Sequence, residues 1–242
     1  MSESVFQRFE IKFLLHQPQR AALERAMIHR LVPDIHGEST ICNIYYDTPD
    51  FRLIRSSMEK PVYKEKLRLR SYGRVTEDQS VFLELKKKYK GVVYKRRISL
   101  PESQATSMIS TGNGQLDQFG QIGRELDYTL HYYPNLRPAM YLCYDRCAFT
   151  CRDDPQLRLT FDRNILWRTE DLRLTAPIGG TALLAPERSL LEIKTASSIP
   201  LWLVALLEQQ QLHKTSFSKY GTAYQALQSR CDITGKDDLC YA

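Results

Sequence analysis

The stretch Lys64-Glu65-Lys66-Leu67-Arg68-Leu69-Arg70 decides how this chain is read. A β-strand shows successive side chains to opposite faces, so one face here carries Lys64, Lys66, Arg68 and Arg70, and the other carries Leu67 and Leu69. The same alternation recurs in Phe9-Glu10-Ile11-Lys12-Phe13, Val81-Phe82-Leu83-Glu84-Leu85-Lys86, Leu157-Arg158-Leu159-Thr160-Phe161-Asp162 and Leu191-Glu192-Ile193-Lys194. A half-buried antiparallel sheet needs only mixed polar residues on its wet side. Lys and Arg with a few carboxylates on that side, in strand after strand, predict a concave basic surface suited to a polyanion.

Strands are expected at about Val5–Leu15, Thr40–Asp47, Val62–Tyr72, Ser80–Lys88 and Val92–Leu100, with Gly91 placed for a hairpin. Further strands are expected at Pro138–Cys151, Gln156–Asp162, again near Ile165, and at Ser189–Thr195. Pro18 opens a helix through Met27, and a short helical piece follows over Asp50–Met58. Met108, Leu116, Phe119, Ile122, Leu126 and Leu130 recur at helical spacing across a break at Gly112 and Gly114. Helices are also expected at Leu201–Leu212 and Tyr220–Ser229. With strands on both sides of the central helical segment, one α+β domain over residues 1–242 is the simplest organisation.

A chain of 242 residues, 43% of them hydrophobic, can bury a substantial core. The excess of 34 Lys and Arg over 28 Asp and Glu is moderate, so its placement on strand faces matters more than its size. The six cysteines form no CxxC pair or Cys/His zinc spacing, and Cys143, Cys147 and Cys151, on one strand face, read as buried small residues. A start of Met-Ser-Glu-Ser without an apolar h-region, and no apolar run long enough to span a membrane, lead to an expected cytoplasmic location. Gly179-Gly180 lacks the rest of a phosphate-binding P-loop, the five histidines are scattered, and no nucleophile elbow is present. Tyr45, Tyr46 and Tyr72 could stack on RNA bases, but strand packing is the better reading, so nucleic acid is not an expected partner.

Eight or so strands with one charged face each would expose a very large basic surface as an open sheet. Closure removes the edges and turns the charged faces inward, with helices over the apolar outer faces. The expected architecture is therefore an antiparallel β-barrel-like tunnel lined by Lys and Arg.

The segments Phe9-Glu10-Ile11-Lys12-Phe13, Tyr45-Tyr46-Asp47-Thr48-Pro49, Leu67-Arg68-Leu69-Arg70-Ser71-Tyr72-Gly73, Phe82-Leu83-Glu84-Leu85-Lys86, Tyr144-Asp145-Arg146, Leu157 to Asp162, Leu191-Glu192-Ile193-Lys194 and Phe217-Ser218-Lys219-Tyr220 run in one order along residues 5–228. That ordered set resembles the VTC domain, the polyphosphate polymerase domain of the vacuolar transporter chaperone complex, within the triphosphate tunnel superfamily that includes CYTH hydrolases and cyclases. The resemblance implies phosphate-binding roles for Lys12, Arg68, Arg70, Lys86, Arg146, Arg158 and Lys219, with Lys95 and Arg97 on a further basic strand face. It implies hydroxyl contacts to phosphate from Tyr144 and Ser218, and a metal-binding role for Glu192. Lys64, Lys66 and Lys194 rest on periodicity alone.

Glu10, Glu84, Asp162 and Glu192 share the basic faces. They can hold Mn2+ or Mg2+, hard cations that take oxygen ligands, or they can pair with neighbouring bases. Glu192 takes the metal role first, Asp162 and Glu84 stand behind it, and Glu10 takes the pairing role. CYTH hydrolases and cyclases begin Glu-x-Glu-x-Lys, whereas Arg8 stands here at the first acid, which favours a longer polyanion and a polymerase. The expected substrates are ATP and inorganic polyphosphate, leaving room for a membrane partner and an open oligomeric state. The alternatives are a CYTH-like hydrolase of inorganic or nucleoside triphosphate and a non-enzymatic polyphosphate-binding module.

Overall fold

The computed structural model describes residues 9–90, 92–112 and 116–234. In chain order the elements are β1 (Phe9–His16), α1 (Gln17–Met27), β2 (Leu31–Asp47), α2 (Arg52–Met58), β3 (Tyr63–Tyr72), β4 (Ser80–Tyr89), β5 (Val92–Pro101) and α3 (Glu102–Thr111). A 3-10 turn (Leu116–Phe119) and α4 (Gly120–Tyr132) follow. The chain continues through β6 (Arg137–Cys151), β7 (Arg158–Arg168), the short β8 (Thr181–Ala182), β9 (Arg188–Thr195), α5 (Leu201–Gln209) and α6 (Lys219–Thr234). The predicted α+β class with a mostly antiparallel sheet is the observed one.

Local chemistry explains most boundaries. The Gln19 side chain accepts the His16 N–H at 2.9 Å, and Pro18 occupies the first turn of α1, where a missing N–H costs nothing. α3 stops at Gly112, whose φ of 65° lies in the left-handed region. Gly91, Gly114, Arg8 and the first residues of the expected N-terminal strand lie outside the described residues.

Two strands differ from expectation. The separate strands expected at Gln156–Asp162 and near Ile165 are one strand, β7, which passes through Asn164 at φ 49°. Asn tolerates that left-handed kink, and the kink breaks the period of two that the sequence reading followed. β2 starts at Leu31 rather than near Thr40, because pairing carries it through Pro33, Asp34 and the left-handed Gly37, residues poor in strand propensity.

The chain forms two compact units, one of Met1–Thr40, Tyr144–Leu166 and Ala182–Phe217, the other of Ile41–Cys143, Trp167–Thr181 and Ser218–Ala242. In the first, the hydrogen-bonded order is β1-β9-β7-β6, and β9 is antiparallel to both β1 and β7. Its core joins Leu15, Leu159, Phe161, Leu191 and Ile193 from the strands to Leu23 and Met27 of α1 and Leu203 and Leu207 of α5. Each such side chain, fully buried, contributes about 1.5–3 kcal/mol. In the second unit the order is β2-β3-β4-β5, antiparallel throughout. Leu67, Leu69, Leu83, Leu85 and Ile98 are buried there, with α3 against β4 and β5, α4 against β5 and α2 against β3. In each unit the apolar strand face goes to the helices, which leaves the charged face to the site. No helix of the described residues is long and apolar enough to cross a membrane.

Candidate functional site

In the second unit, strand register converts the alternating pattern into rungs. Tyr45, Arg68, Glu84 and Arg97 stand opposite one another across β2, β3, β4 and β5. The neighbouring rungs are Asn43, Arg70, Phe82 and Ser99 on one side and Lys66, Lys86 and Lys95 on the other, with Lys64 opposite Lys88 beyond.

Glu84 is the hub of this face, and it is only 1% exposed. Its Oε2 accepts from Arg68 Nε at 2.9 Å and Nη2 at 2.7 Å, with Arg70 Nε at 3.8 Å. Its Oε1 accepts from Arg97 Nε at 2.7 Å and lies 2.8 Å from Lys95 Nζ. Burial works against the charged carboxylate, but Arg68, Arg70 and Lys95 outweigh it and hold Glu84 well below the usual carboxylate range. Burial also brings Lys95 down to about 8 against the opposing pull of Glu84. Arg70 Nε donates to Asn43 Oδ1 at 3.0 Å, and Asn43 Nδ2 donates to the Leu142 carbonyl at 3.0 Å, which fixes that guanidinium.

Beside the hub, Arg68 Nη1 donates to the Tyr45 hydroxyl at 3.0 Å, and the Tyr45 ring stacks on Tyr220 at 4.4 Å. Burial opposes ionisation of Tyr45, yet Arg68, Lys66 and Arg70 bring its hydroxyl down to about 8. Lys66 Nζ donates to Ser218 Oγ at 2.9 Å, and the same Oγ accepts the Gly221 N–H at 3.1 Å in the first turn of α6, which Lys219 opens. Tyr220 donates to Asp47 Oδ2 at 2.8 Å, while the Asp47 carboxylate also accepts the N–H groups of Thr48, Leu53 and Ile54. Asp47 therefore ties β2, α2 and α6 together. Tyr45 and Tyr46 are buried in the strand layer, as strand packing requires.

In the first unit the rungs are Lys12, Glu192 and Thr160 across β1, β9 and β7, and Glu10, Lys194 and Arg158 next to them. Glu192 lies 3.3 Å from Lys12 Nζ, 3.4 Å from Arg146 Nη2 and 3.8 Å from Lys194 Nζ. Lys12 also pairs with Glu10 at 3.1 Å and donates to the Phe217 carbonyl at 2.9 Å. Asp162 is fully buried, and its two oxygens accept from Arg146 Nε at 2.6 Å and Nη2 at 2.7 Å, a bidentate fork. Burial works against the Arg146 charge, but Tyr144, Asp162 and Glu192 raise its pKa well above the ordinary value. The Arg146 guanidinium lies 5.1 Å over the Tyr144 ring. Arg158, 44% exposed, donates to Asp34 at 2.6 Å. The hydroxyl of Thr160 is buried and has no hydrogen-bond partner.

The sequence-predicted residues thus fall into two sets. Arg68, Arg70, Lys86, Lys95, Arg97, Lys66 and Glu84, with Ser218 and Lys219, belong to the second unit. Lys12, Tyr144, Arg146, Arg158, Lys194, Asp162 and Glu192 belong to the first. Arg68, Arg70, Lys95 and Arg97 come together around Glu84, and Lys12, Arg146 and Lys194 around Glu192, while Lys66 donates to Ser218 and Arg158 pairs with Asp34. Asn43, Asp47, Asp34 and Thr160 were not singled out. Asp47 lies in the Tyr45-to-Pro49 motif and Thr160 alternates with Arg158 and Asp162, but only register shows what each touches. Cys143 and Cys151 are buried as expected, while Cys147 is half-buried.

Residues 7–228 match the VTC domain. The chain belongs to the VTC domain family. Two curated relatives are each a vacuolar transporter chaperone complex subunit 4. The one from Trypanosoma brucei brucei is 24% identical, with 72% of this chain and 27% of the relative covered. The one from Schizosaccharomyces pombe is 25% identical, with 55% of this chain and 21% of the relative covered. This VTC-domain chain thus spans about a quarter of the length of those relatives. A putative adenylate cyclase from Bacillus halodurans is similar in structure, with a TM-score of 0.56 at 16% identity, covering 88% of this chain and 95% of that one. That likeness shows the fold, which is the triphosphate tunnel or CYTH-like one.

Proposed function

We propose that this VTC domain is an ATP-dependent polyphosphate polymerase, transferring the terminal phosphate of ATP onto a growing inorganic polyphosphate chain. The observation that carries the reading is the lysine rung. Lys66, Lys86 and Lys95 stand in register on adjacent strands, like charges set directly opposite one another that a polyanion lying along the rung would neutralise. Membership of the VTC family supports reading that anion as a phosphate chain.

On this reading Arg68, Arg70, Arg97 and Lys95 hold phosphoryl oxygens with charge-assisted hydrogen bonds, and Lys66 and Lys86 extend the track. Ser218 and Lys219 add the N–H-rich first turn of α6, a natural anion seat. Lys12, Arg146, Arg158 and Lys194 serve phosphates on the first unit's face, with Tyr144 at its edge. Phosphoryl transfer asks the protein mainly for positioning and charge neutralisation. The terminal oxygen of a polyphosphate acceptor is already ionised at neutral pH, so it attacks without a general base. That suits two faces built of cations and structural carboxylates with no histidine among them.

A Mn2+ or Mg2+ ion fits these residues in one way. Among the described residues no three His, Cys, Asp or Glu groups converge as a metal cage. Glu192 can offer a carboxylate oxygen, however, and Mg2+ commonly binds through one or two carboxylates plus substrate phosphates. Asp162 is locked in a fork with Arg146 at 2.6 and 2.7 Å and Glu84 is held by four cations, whereas the cation contacts of Glu192 are looser, at 3.3, 3.4 and 3.8 Å, so Glu192 is the residue that would hold the ion. When bound, the ion would supply neutralisation of charge on the phosphate oxygens. ATP as donor is consistent with a cytoplasmic site of action.

Incubation with ATP and Mn2+ or Mg2+, followed by gel analysis, tests the proposal. Long polyphosphate with ADP is the expected result. Orthophosphate alone would select a CYTH-like hydrolase, and tight binding without turnover would select a polyphosphate-binding module.

A further inference from the structure

We infer that Thr160 is a substrate-binding residue, its hydroxyl donating a hydrogen bond to a phosphoryl oxygen on the first unit's face; this deepens the reading above and rests on it for the identity of the anion. The starting observation is a buried hydroxyl without a partner. Thr160 is 6% exposed, and its Oγ1 makes no hydrogen bond. Buried polar side chains in native proteins are nearly always satisfied, so an orphan among them asks for an explanation.

Placement supplies one. Thr160 stands opposite Glu192 on β9, and Glu192 stands opposite Lys12 on β1. Along its own strand Thr160 alternates with Arg158 and Asp162, and Arg146 bridges Asp162 to Glu192. Register therefore places Thr160 on the face that carries Glu192 beside it and Lys12 beyond, with Arg158 two residues along its own strand. Two other buried polar atoms among the described residues lack partners, and neither has this setting. Ser189 shares its strand face with Leu191 and Ile193 and stands opposite Leu15, on the apolar side. Arg163 keeps its guanidinium engaged through Glu38.

The residue type sharpens the argument. Valine has the same branched shape and equal fitness for a strand, and it would fill this position without burying a polar atom. A threonine is explained if its O–H gains an acceptor when ligand arrives. None of the nearby carboxylate oxygens, which face Lys12, Arg146 and Lys194, accepts from Thr160, whereas a phosphoryl oxygen brings fresh lone pairs. A hydroxyl beside the cations adds direction to a contact that charge alone leaves loose.

The test compares Thr160→Val and Thr160→Ser with the parent chain by melting temperature and by calorimetric titration with inorganic tripolyphosphate. Titrations are run in EDTA and again with Mn2+. Expected for Thr160→Val is a ligand-free melting temperature equal to or above the parent's, with tripolyphosphate bound roughly 10- to 100-fold more weakly in both buffers, the loss of one hydrogen bond to a charged group. Thr160→Ser keeps the hydroxyl and should bind within about threefold of the parent. Unchanged affinity in Thr160→Val would overturn the inference. So would a fall in its ligand-free melting temperature, which would mean that the hydroxyl is a structural donor. A loss seen only with Mn2+ would also overturn it, since the hydroxyl would then serve the metal's hydration shell. Because the readout is binding, a parent chain that binds tripolyphosphate yet makes no polyphosphate would sink the polymerase reading and leave this inference standing.

Discussion

Replacing Glu84 with Gln probes the hub of the second unit's face. The substitution keeps size and shape but removes the negative charge that Arg68, Arg70, Lys95 and Arg97 share. Removing one partner of a buried ion pair costs about 3–5 kcal/mol, because the charges left behind are desolvated and unpaired. For a chain of this size each kcal/mol moves the melting temperature by about 2–4 °C, so Glu84→Gln should melt about 6–20 °C lower. The reverse deletion is much milder. Arg68→Ala leaves the carboxylate with three cations and should cost about 1 kcal/mol. Differential scanning fluorimetry with and without inorganic tripolyphosphate reads both effects. The polyanion should restore more stability to Glu84→Gln than to the parent, since it supplies the missing negative charge to the same cations. A pH series separates the charge of Glu84 from its packing. The folded-state pKa of Glu84 is depressed, so its contribution is present above the unfolded carboxylate value and lost as pH falls through the folded one. Glu84→Gln should accordingly lose part of the parent's acid-side decline. A melting temperature within about 2 °C of the parent, or a tripolyphosphate effect no larger than the parent's, would refute the hub.

Glu192→Gln should bind tripolyphosphate in EDTA about as well as the parent, yet lose Mn2+-dependent turnover by about 100-fold or more, the scale of a lost charge-stabilising group; full turnover in Mn2+ would remove Glu192 from the metal role. Arg146→Lys cannot reproduce the fork onto Asp162 and should cost about 2–4 kcal/mol by chemical denaturation, and an unchanged midpoint would show the fork to be dispensable. Tyr45 gains negative charge and Lys95 loses positive charge as pH rises through about 8, so tripolyphosphate affinity should fall there with a limiting slope near two protons. Tyr45→Phe should halve that slope, and a slope that stays the same would exclude the phenol.

The faces of this protein were legible because β-strand periodicity is a local property. Leu67 and Leu69 are buried and Arg68 faces the charged side, as the seven residues Lys64–Arg70 alone require. Register was not legible. The Glu84 hub depends on Arg68 standing opposite Glu84 and Glu84 opposite Arg97, pairings fixed by where each hairpin turns. The same holds for Arg146 and Asp162, and for Lys12 and Glu192, which are far apart in sequence and adjacent only through strand pairing. The lone hydroxyl of Thr160 had no sequence signal at all, because an orphaned group is defined by what surrounds it. Asn164 misled the reading for the opposite reason: its kink is local, and a period of two cannot see a strand that continues through a residue off the pleat.

The two faces differ in charge balance, and that difference orders their roles. Among the described residues, the second unit's face sets Lys66, Lys86, Lys95, Arg68, Arg70 and Arg97 on strand faces shared with Glu84. On the first unit's face Lys12, Arg146, Arg158 and Lys194 are matched by Glu10, Glu192, Asp162 and Asp34. A face this rich in cations around Glu84 attracts a polyanion before any metal is considered, and a bound polyanion would relieve their remaining mutual repulsion. Four cations against four acids attract an anion weakly, but they hold carboxylate oxygens where a divalent ion carried in on phosphate could reach one of them. On the proposed reading, phosphate affinity in the absence of metal is expected mainly from β3, β4 and β5, and dependence on metal from β1, β7 and β9. That division is why Glu192→Gln is expected to spare binding, and why a loss at Thr160 that persists in EDTA would mark a direct contact with phosphate on the face where charge alone does least.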